Sequence, residues 1–210
     1  AVGLVEKDGE IRTCAVGTTE VGGDVPVRPN TIFRIASMTK PIVAAAVMML
    51  VDDGTLRLDE PVDRLLPELA DRRVLRSLDA EIDDTAPAVR AITVRDLLTN
   101  QMGLGVVMPL GSRPLHRAVE ALAISSFGMP DPNTPFDDDE FMRRLGTLPL
   151  FVQPGTDWLY NTASDVQGVL VARASSQSLG AFLKERIFAP LGMADTAFYV
   201  PPAKHGRFLS

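Results

Sequence analysis

Apolar and polar positions along the 210-residue chain follow two different periods. At the start, "VGLVEKDGEIRTCAVG" (residues 2–17) reads as two short strands around Asp8-Gly9, the strongest two-residue hairpin signal. Gly- and Pro-containing text from Gly17 to Asn30 reads as loop. "TIFRIA" then leads into a helix of roughly 37–53, closed by Asp52-Asp53-Gly54. Its body, "IVAAAVMMLV", is apolar on every side, which predicts a centrally buried helix rather than a surface one.

Residues 55–92 are mixed, and Pro61, Pro67 and the acidic "DAEIDD" predict a meandering connection. Thr93, with Asp96 three residues on, opens "TVRDLLTNQMGLG" as a capped helix that Gly103 or Gly105 ends. Residues 106–136 carry five prolines and read as a long loop interrupted by one helix near 115–124. A further helix near 137–146 begins with an acidic turn, Asp137 to Glu140, suited to a helix N-terminus. Val166, Val169, Leu170 and Ala174 recur at helical spacing, as do Leu179, Phe182, Leu183 and Ile187. The text is thus a little strand followed by mostly helix, and two strands alone do not make a stable sheet.

Composition narrows the function. The apolar share of 46% and charged share of 23% are those of an ordinary globular protein. A net charge of -6 disfavours nucleic acid as a partner, because little basic surface is available to track phosphates. Basic residues at Arg72-Arg73 and Arg76 have acids close by on both sides and read as solvated surface. Cys14 is the only cysteine, so no internal disulfide can form. The longest apolar run, Ile42 to Val51, is about half of what a membrane span needs. No basic-then-apolar leader follows Ala1, and both a cytoplasmic and a periplasmic or secreted bacterial location stay open.

The candidate chemistry lies in "IASMTK". Ser37 stands three residues before Lys40, one of four lysines in the chain. Residues three apart on a helix share a face. In the first turn, the helix dipole and the free N–H groups favour negative charge and disfavour a cation. With the apolar helix body directly behind, Lys40 is predicted to favour its neutral amine, able to take a proton from Ser37. The same N–H groups can hold a developing oxyanion. The alternative is structural: Ser37 caps the helix and Lys40 snorkels to solvent. A second element, "PGTDWLYNTASDVQGVL" (154–170), places Tyr160 on a loop just before a helix, where its phenol can face a cleft or simply pack its ring. His116 and His205 lie in no metal-ligand spacing. No Gly-x-Ser-x-Gly, phosphate-binding glycine loop or Cys-x-x-Cys is present.

Together these residues resemble the serine β-lactamase and penicillin-binding-protein superfamily. The branch is that of class C β-lactamases, family VIII carboxylesterases and D-alanyl-D-alanine peptidases. The resemblance rests on "TIFRIASMTKPIVAAAVMMLVDDGTLRLDEPVDRLLPEL", "AITVRDLLTNQMGLG", "PGTDWLYNTASDVQGVLV" and "IFAPLGMADTAFYVPP". It implies an α+β fold, an antiparallel sheet beside a mostly helical domain. Residues 1–59 would be the start of the sheet domain with the nucleophile helix, and 60–210 the helical part. It also implies a catalytic set of Ser37, Lys40 and Tyr160, with Trp158 and Asn161 as substrate-binding candidates. The substrate would be a small ester or cyclic amide, with no metal and no other cofactor.

Three departures qualify the resemblance. The branch's tyrosine begins a Tyr-x-Asn or Tyr-Ser pattern, whereas here Tyr160-Asn161-Thr162 puts asparagine one place early, which tilts the reading toward an esterase. Ser164-Asp165-Val166 has the wrong third residue for a Ser-Asp-Asn motif. Lys204-His205-Gly206 fits the letters of the family's third motif but comes too soon after Tyr160 and reads as a decoy. The resemblance therefore implies further strands beyond Ser210, partners for the hairpin, and a helix ahead of Ala1. The alternative function is a catalytically incomplete homologue or fragment that binds ligand or partner without turnover.

Overall fold

The computed structural model describes residues 1–124 and 136–209, so the part of the proline-rich segment at 125–135 lies outside the described residues. The chain divides into two compact units, Ala1–Thr39 with Lys184–Ser210, and Lys40–Leu183. Helices mix with two small antiparallel sheets, as the α+β reading expects.

In the first unit, strands β1 (Val2–Lys7) and β2 (Glu10–Ala15) pair from Val2↔Ala15 to Lys7↔Glu10. Asp8 and Gly9 turn between them at φ 55° and 82°, the positive pair that a twist-matched two-residue hairpin requires. Leu4, Val5 and Ile11 are exposed on this ribbon, and among the described residues β1 and β2 pair only with each other. Farther on, Ile32 forms a parallel bridge with Phe208, its N–H donating to Arg207 O at 2.7 Å. Arg207 forks onto both Asp195 oxygens at 2.7 and 2.9 Å, and Lys204 meets the same carboxylate at 2.7 Å. His205 Nε2 lies 2.9 Å from Val200 O. The letters Lys204-His205-Gly206 thus serve a local network that ties down a 3₁₀ segment, Pro202–Arg207.

The second unit holds the larger core, in which Leu56, Leu66, Ile92, Leu97, Met102, Leu115, Met142, Leu145, Leu150, Leu170 and Leu183 are fully buried. Helix α1 (Thr39–Asp52) contributes Val43, Ala46, Val47 and Leu50, an i, i+3, i+4, i+7 stripe. The expectation of burial on every side is not met: Ala45 and Met48 are exposed. The meander after it contains strands that the sequence does not announce. Strands β3 (Arg73–Leu75) and β4 (Thr85–Pro87) pair antiparallel, and Leu150 extends β3 by a parallel bridge to Val74. Three-residue strands offer too few positions for an alternation to register.

Helix α2 (Val94–Leu98) opens with the expected capping box between Thr93 and Asp96. It closes earlier than expected, because Asn100 turns into the left-handed region at φ 56°; Gly103 and Gly105 lie in the loop beyond. Helix α3 (Pro114–Ala121) follows. Helix α4 (Asp138–Gly146) starts where its acidic turn predicts, with Asp137 accepting from Glu140 N at 2.9 Å. Its C-terminal carbonyls are met by a buried cation: Arg72 donates to Gly146 O at 2.5 Å, to Leu145 O at 3.4 Å, to Glu68 O at 3.3 Å, and to Leu148 O. Helix α5 (Thr162–Ser175) packs Val166, Val169 and Leu170 inward. Helix α6 (Leu179–Leu183) passes into a single π-helical turn, Lys184–Phe188.

Candidate functional site

Ser37 lies in a 3₁₀ turn, Ala36–Met38, that runs directly into α1. The helix therefore starts two residues later than expected, with Lys40 in its first turn and Ser37 just ahead of it. Ser37 is exposed, and the residue before it, Ala36, has φ 43°. A non-glycine residue held there stores backbone strain, of the order of 1–3 kcal/mol.

The structure brings Lys40, Tyr160 and Trp158 together. Lys40 Nζ stands 4.8 Å from the centroid of the Tyr160 ring, a cation–π distance. Trp158 stacks on the same phenol, with centroids 5.7 Å apart and planes inclined by 25°. Lys40 and Tyr160 are half-buried and Trp158 is exposed. The asparagine after the tyrosine is strained: Asn161 has φ 87° and ψ -73°, the rare γ-turn conformation. From there its carbonyl accepts from Ser164 N at 2.8 Å, so the chain turns sharply from Tyr160 into α5.

Why Tyr160 points where it does follows from a backbone clamp. Residues 155–160 run against the loop after α2: Gly155 N donates to Gln101 O, Leu159 N to Asn100 O, each at 2.8 Å, and Val106 N to Tyr160 O at 2.9 Å. Gly105 lets these two backbones touch, because a Cβ there would lie 2.6 Å from Leu159 O and 2.7 Å from Tyr160 O. Under the other end sits an ion pair, with an exposed Arg90 forked onto the buried Asp96 at 2.5 and 2.8 Å. Gly155 packs directly over that guanidinium. Burial pushes the Asp96 carboxyl up, but Arg90 and the Thr93 N–H and O–H more than offset it and hold it below the usual carboxylate range. On the far side of the site, Gln167 Nε2 donates to Leu97 O at 2.8 Å and pins α5 to α2.

One charged neighbour escapes the sequence reading. Asp165, in the first turn of α5, is pushed up to about 6 by desolvation, with the Lys40 charge pulling the other way. Solvent still reaches the carboxyl, which tempers the rise. Its one signal in the sequence is its place, a helical turn and a residue past Tyr160. A shallow groove of about 500 Å³ lined by Val74, Leu75, Arg76, Phe151 and Gln153 contains none of Ser37, Lys40 or Tyr160. It belongs to the clamp's outer flank rather than to this chemistry. Among the described residues, no cluster of three or more His, Cys, Asp or Glu could hold a metal ion. Nor is any helix there long and apolar enough to cross a membrane.

The chain is similar to known proteins. The Beta-lactamase family model matches residues 1–209. Protein Rv1367c of Mycobacterium tuberculosis is 42% identical over 185 residues, 88% of this chain and 43% of that protein. Esterase EstB of Burkholderia gladioli is 40% identical over 202 residues, 94% of this chain and 46% of that protein. The chain thus spans less than half the length of these relatives. Among solved structures, EstCE1, a hydrolase with promiscuous acyltransferase activity, superposes with a TM-score of 0.79 at 25% identity, over all of this chain and 50% of that one. Simvastatin synthase LovD from Aspergillus terreus gives 0.74 at 28% identity, over 95% of this chain and 50% of its own.

Proposed function

The chain belongs to the beta-lactamase family, and from that premise we propose that it carries the nucleophile of a serine hydrolase or acyl-transfer enzyme acting on a small ester. The observation that carries this reading is Lys40 Nζ set over the Tyr160 ring at 4.8 Å, three residues after Ser37. Ser37 Oγ attacks the ester carbonyl and passes its proton to the Lys40 and Tyr160 pair. That pair returns the proton to the departing alkoxide, which leaves an acyl-Ser37. Water or an alcohol then takes the acyl group and regenerates Ser37. The positive end of the α1 dipole, beside Ser37, suits the developing oxyanion. Asn161, held in a strained turn beside the tyrosine, serves as a substrate contact.

An ester is favoured over a cyclic amide by two things. Tyr160-Asn161-Thr162 departs from the Tyr-x-Asn order, and relatives such as EstB are named for esterase activity. A fluorophosphonate probe followed by peptide mass mapping tests the reading. Label is expected on Ser37, and Lys40→Ala is expected to reduce labelling at least 10²-fold, the scale of a lost general base. Label on another serine, or undiminished labelling of Lys40→Ala, refutes it. Parallel turnover assays with phenyl acetate and a chromogenic β-lactam separate the two substrate classes.

A further inference from the structure

Trp158 is the only tryptophan in the chain, and it stands 62% exposed beside the candidate proton-transfer pair. Its neighbours are fixed on both sides. Leu159 is buried and its N–H is bound to Asn100 O, while Tyr160 O is held by Val106 N. Successive side chains of an extended segment point to opposite faces, so with Leu159 turned into the core, Trp158 and Tyr160 share the outer face. Their rings stack at 5.7 Å and 25°. The fold therefore spends a rigid backbone on holding an indole in water next to the phenol that Lys40 contacts. Structural tryptophans are instead buried for their large apolar surface.

We propose that Trp158 is a specificity-determining platform that receives the flat, uncharged aryl group of an ester substrate, so that aryl esters are the preferred class. An aromatic group stacks on an indole face with a gain beyond plain burial, whereas a saturated ring of the same size gains burial alone. A cationic group is a poorer match, because Lys40 Nζ already stands 4.8 Å from the centroid of the stacked Tyr160 ring. This inference rests on the serine-hydrolase reading for its kinetic arm, but its binding arm stands apart from it.

The binding arm uses the emission of the chain's single tryptophan. In Ser37→Ala protein, titration with phenyl acetate is expected to give a saturable change in Trp158 emission at concentrations where cyclohexyl acetate gives none. In the kinetic arm, Trp158→Ala is expected to lower kcat/KM for phenyl acetate at least tenfold, mainly through KM. Cyclohexyl acetate should change less than threefold, and Trp158→Phe should recover most of the loss. Absence of a saturable change with phenyl acetate overturns the platform, as does equal loss on both esters in Trp158→Ala. A saturable change in the Ser37→Ala protein, together with wild-type protein that takes no fluorophosphonate at Ser37, keeps the platform and refutes the hydrolase reading.

Discussion

Replacing Gly105 by alanine tests how the Tyr160 phenol is positioned for the role proposed for it. Gly105 is not among the glycines with positive φ, so alanine can adopt its backbone and the only obstacle is space. The new Cβ would stand 2.6 Å from Leu159 O and 2.7 Å from Tyr160 O, both backbone atoms. Contacts under 3.0 Å are essentially never seen and ordinary contact begins near 3.4 Å. The two strands of the clamp must therefore separate by between 0.4 and 0.8 Å, the gaps from 2.6 Å to those limits. Overpacking of this kind costs about 1–3 kcal/mol. For a chain of this size about 2 kcal/mol lowers Tm by roughly 4–8 °C. The displacement falls on Tyr160 itself, and a misplacement approaching 1 Å at a reacting group costs on the order of 10²-fold in rate. Differential scanning fluorimetry reads the first quantity and the rate of fluorophosphonate labelling at Ser37 the second. Gly3→Ala is the control, since nothing lies within 4 Å of a Cβ there. If Gly105→Ala labels and melts like Gly3→Ala, the clamp does not position the phenol.

Two further predictions concern charge. Arg72→Met keeps chain length but leaves the carbonyls of Leu145, Gly146 and Leu148 without their buried donor. A loss of about 2–4 kcal/mol is expected in urea denaturation, because unsatisfied buried acceptors cost about 1–3 kcal/mol each and partly relax. Arg72→Lys should recover only part, its single ammonium replacing a fork; an unchanged midpoint in Arg72→Met refutes the role. Asp165→Asn is expected to raise Tm near pH 7.5 and leave it unchanged near pH 4. A carboxyl raised from 3.8 to about 6 in the folded chain binds more protons folded than unfolded between those values, so stability falls as pH rises through that window. A Tm difference that is the same at both pH values refutes it.

Local signals in the sequence are followed closely where they are self-sufficient. The Asp8-Gly9 hairpin, the Thr93/Asp96 capping box and the acidic start of α4 each need only neighbouring residues, and each is where the text puts it. Features that depend on distant partners are not legible. Strands β3 and β4 are three residues each and are stabilised by one another and by Leu150. The end of α2 is set by Asn100 rather than by the glycines, which are there because a second backbone passes against the loop. The all-round apolar text of α1 specifies which side chains can be buried but not which are, and Ala45 and Met48 remain outside.

For the site, the sequence alone determined the residue types and their order: a serine one turn before a lysine, and a tyrosine between an alternating aromatic segment and a helix. Those follow from chain spacing, which fixes what can share a turn. Only the tertiary structure decided that Lys40 meets the Tyr160 ring, that Trp158 stacks on it in the open, and that Asp165 adds a carboxyl to the group. The contacts of Lys40 join residues about 120 positions apart. They exist because Gly105, the Arg90–Asp96 pair and three backbone hydrogen bonds hold two loops together, at positions that no local period encodes.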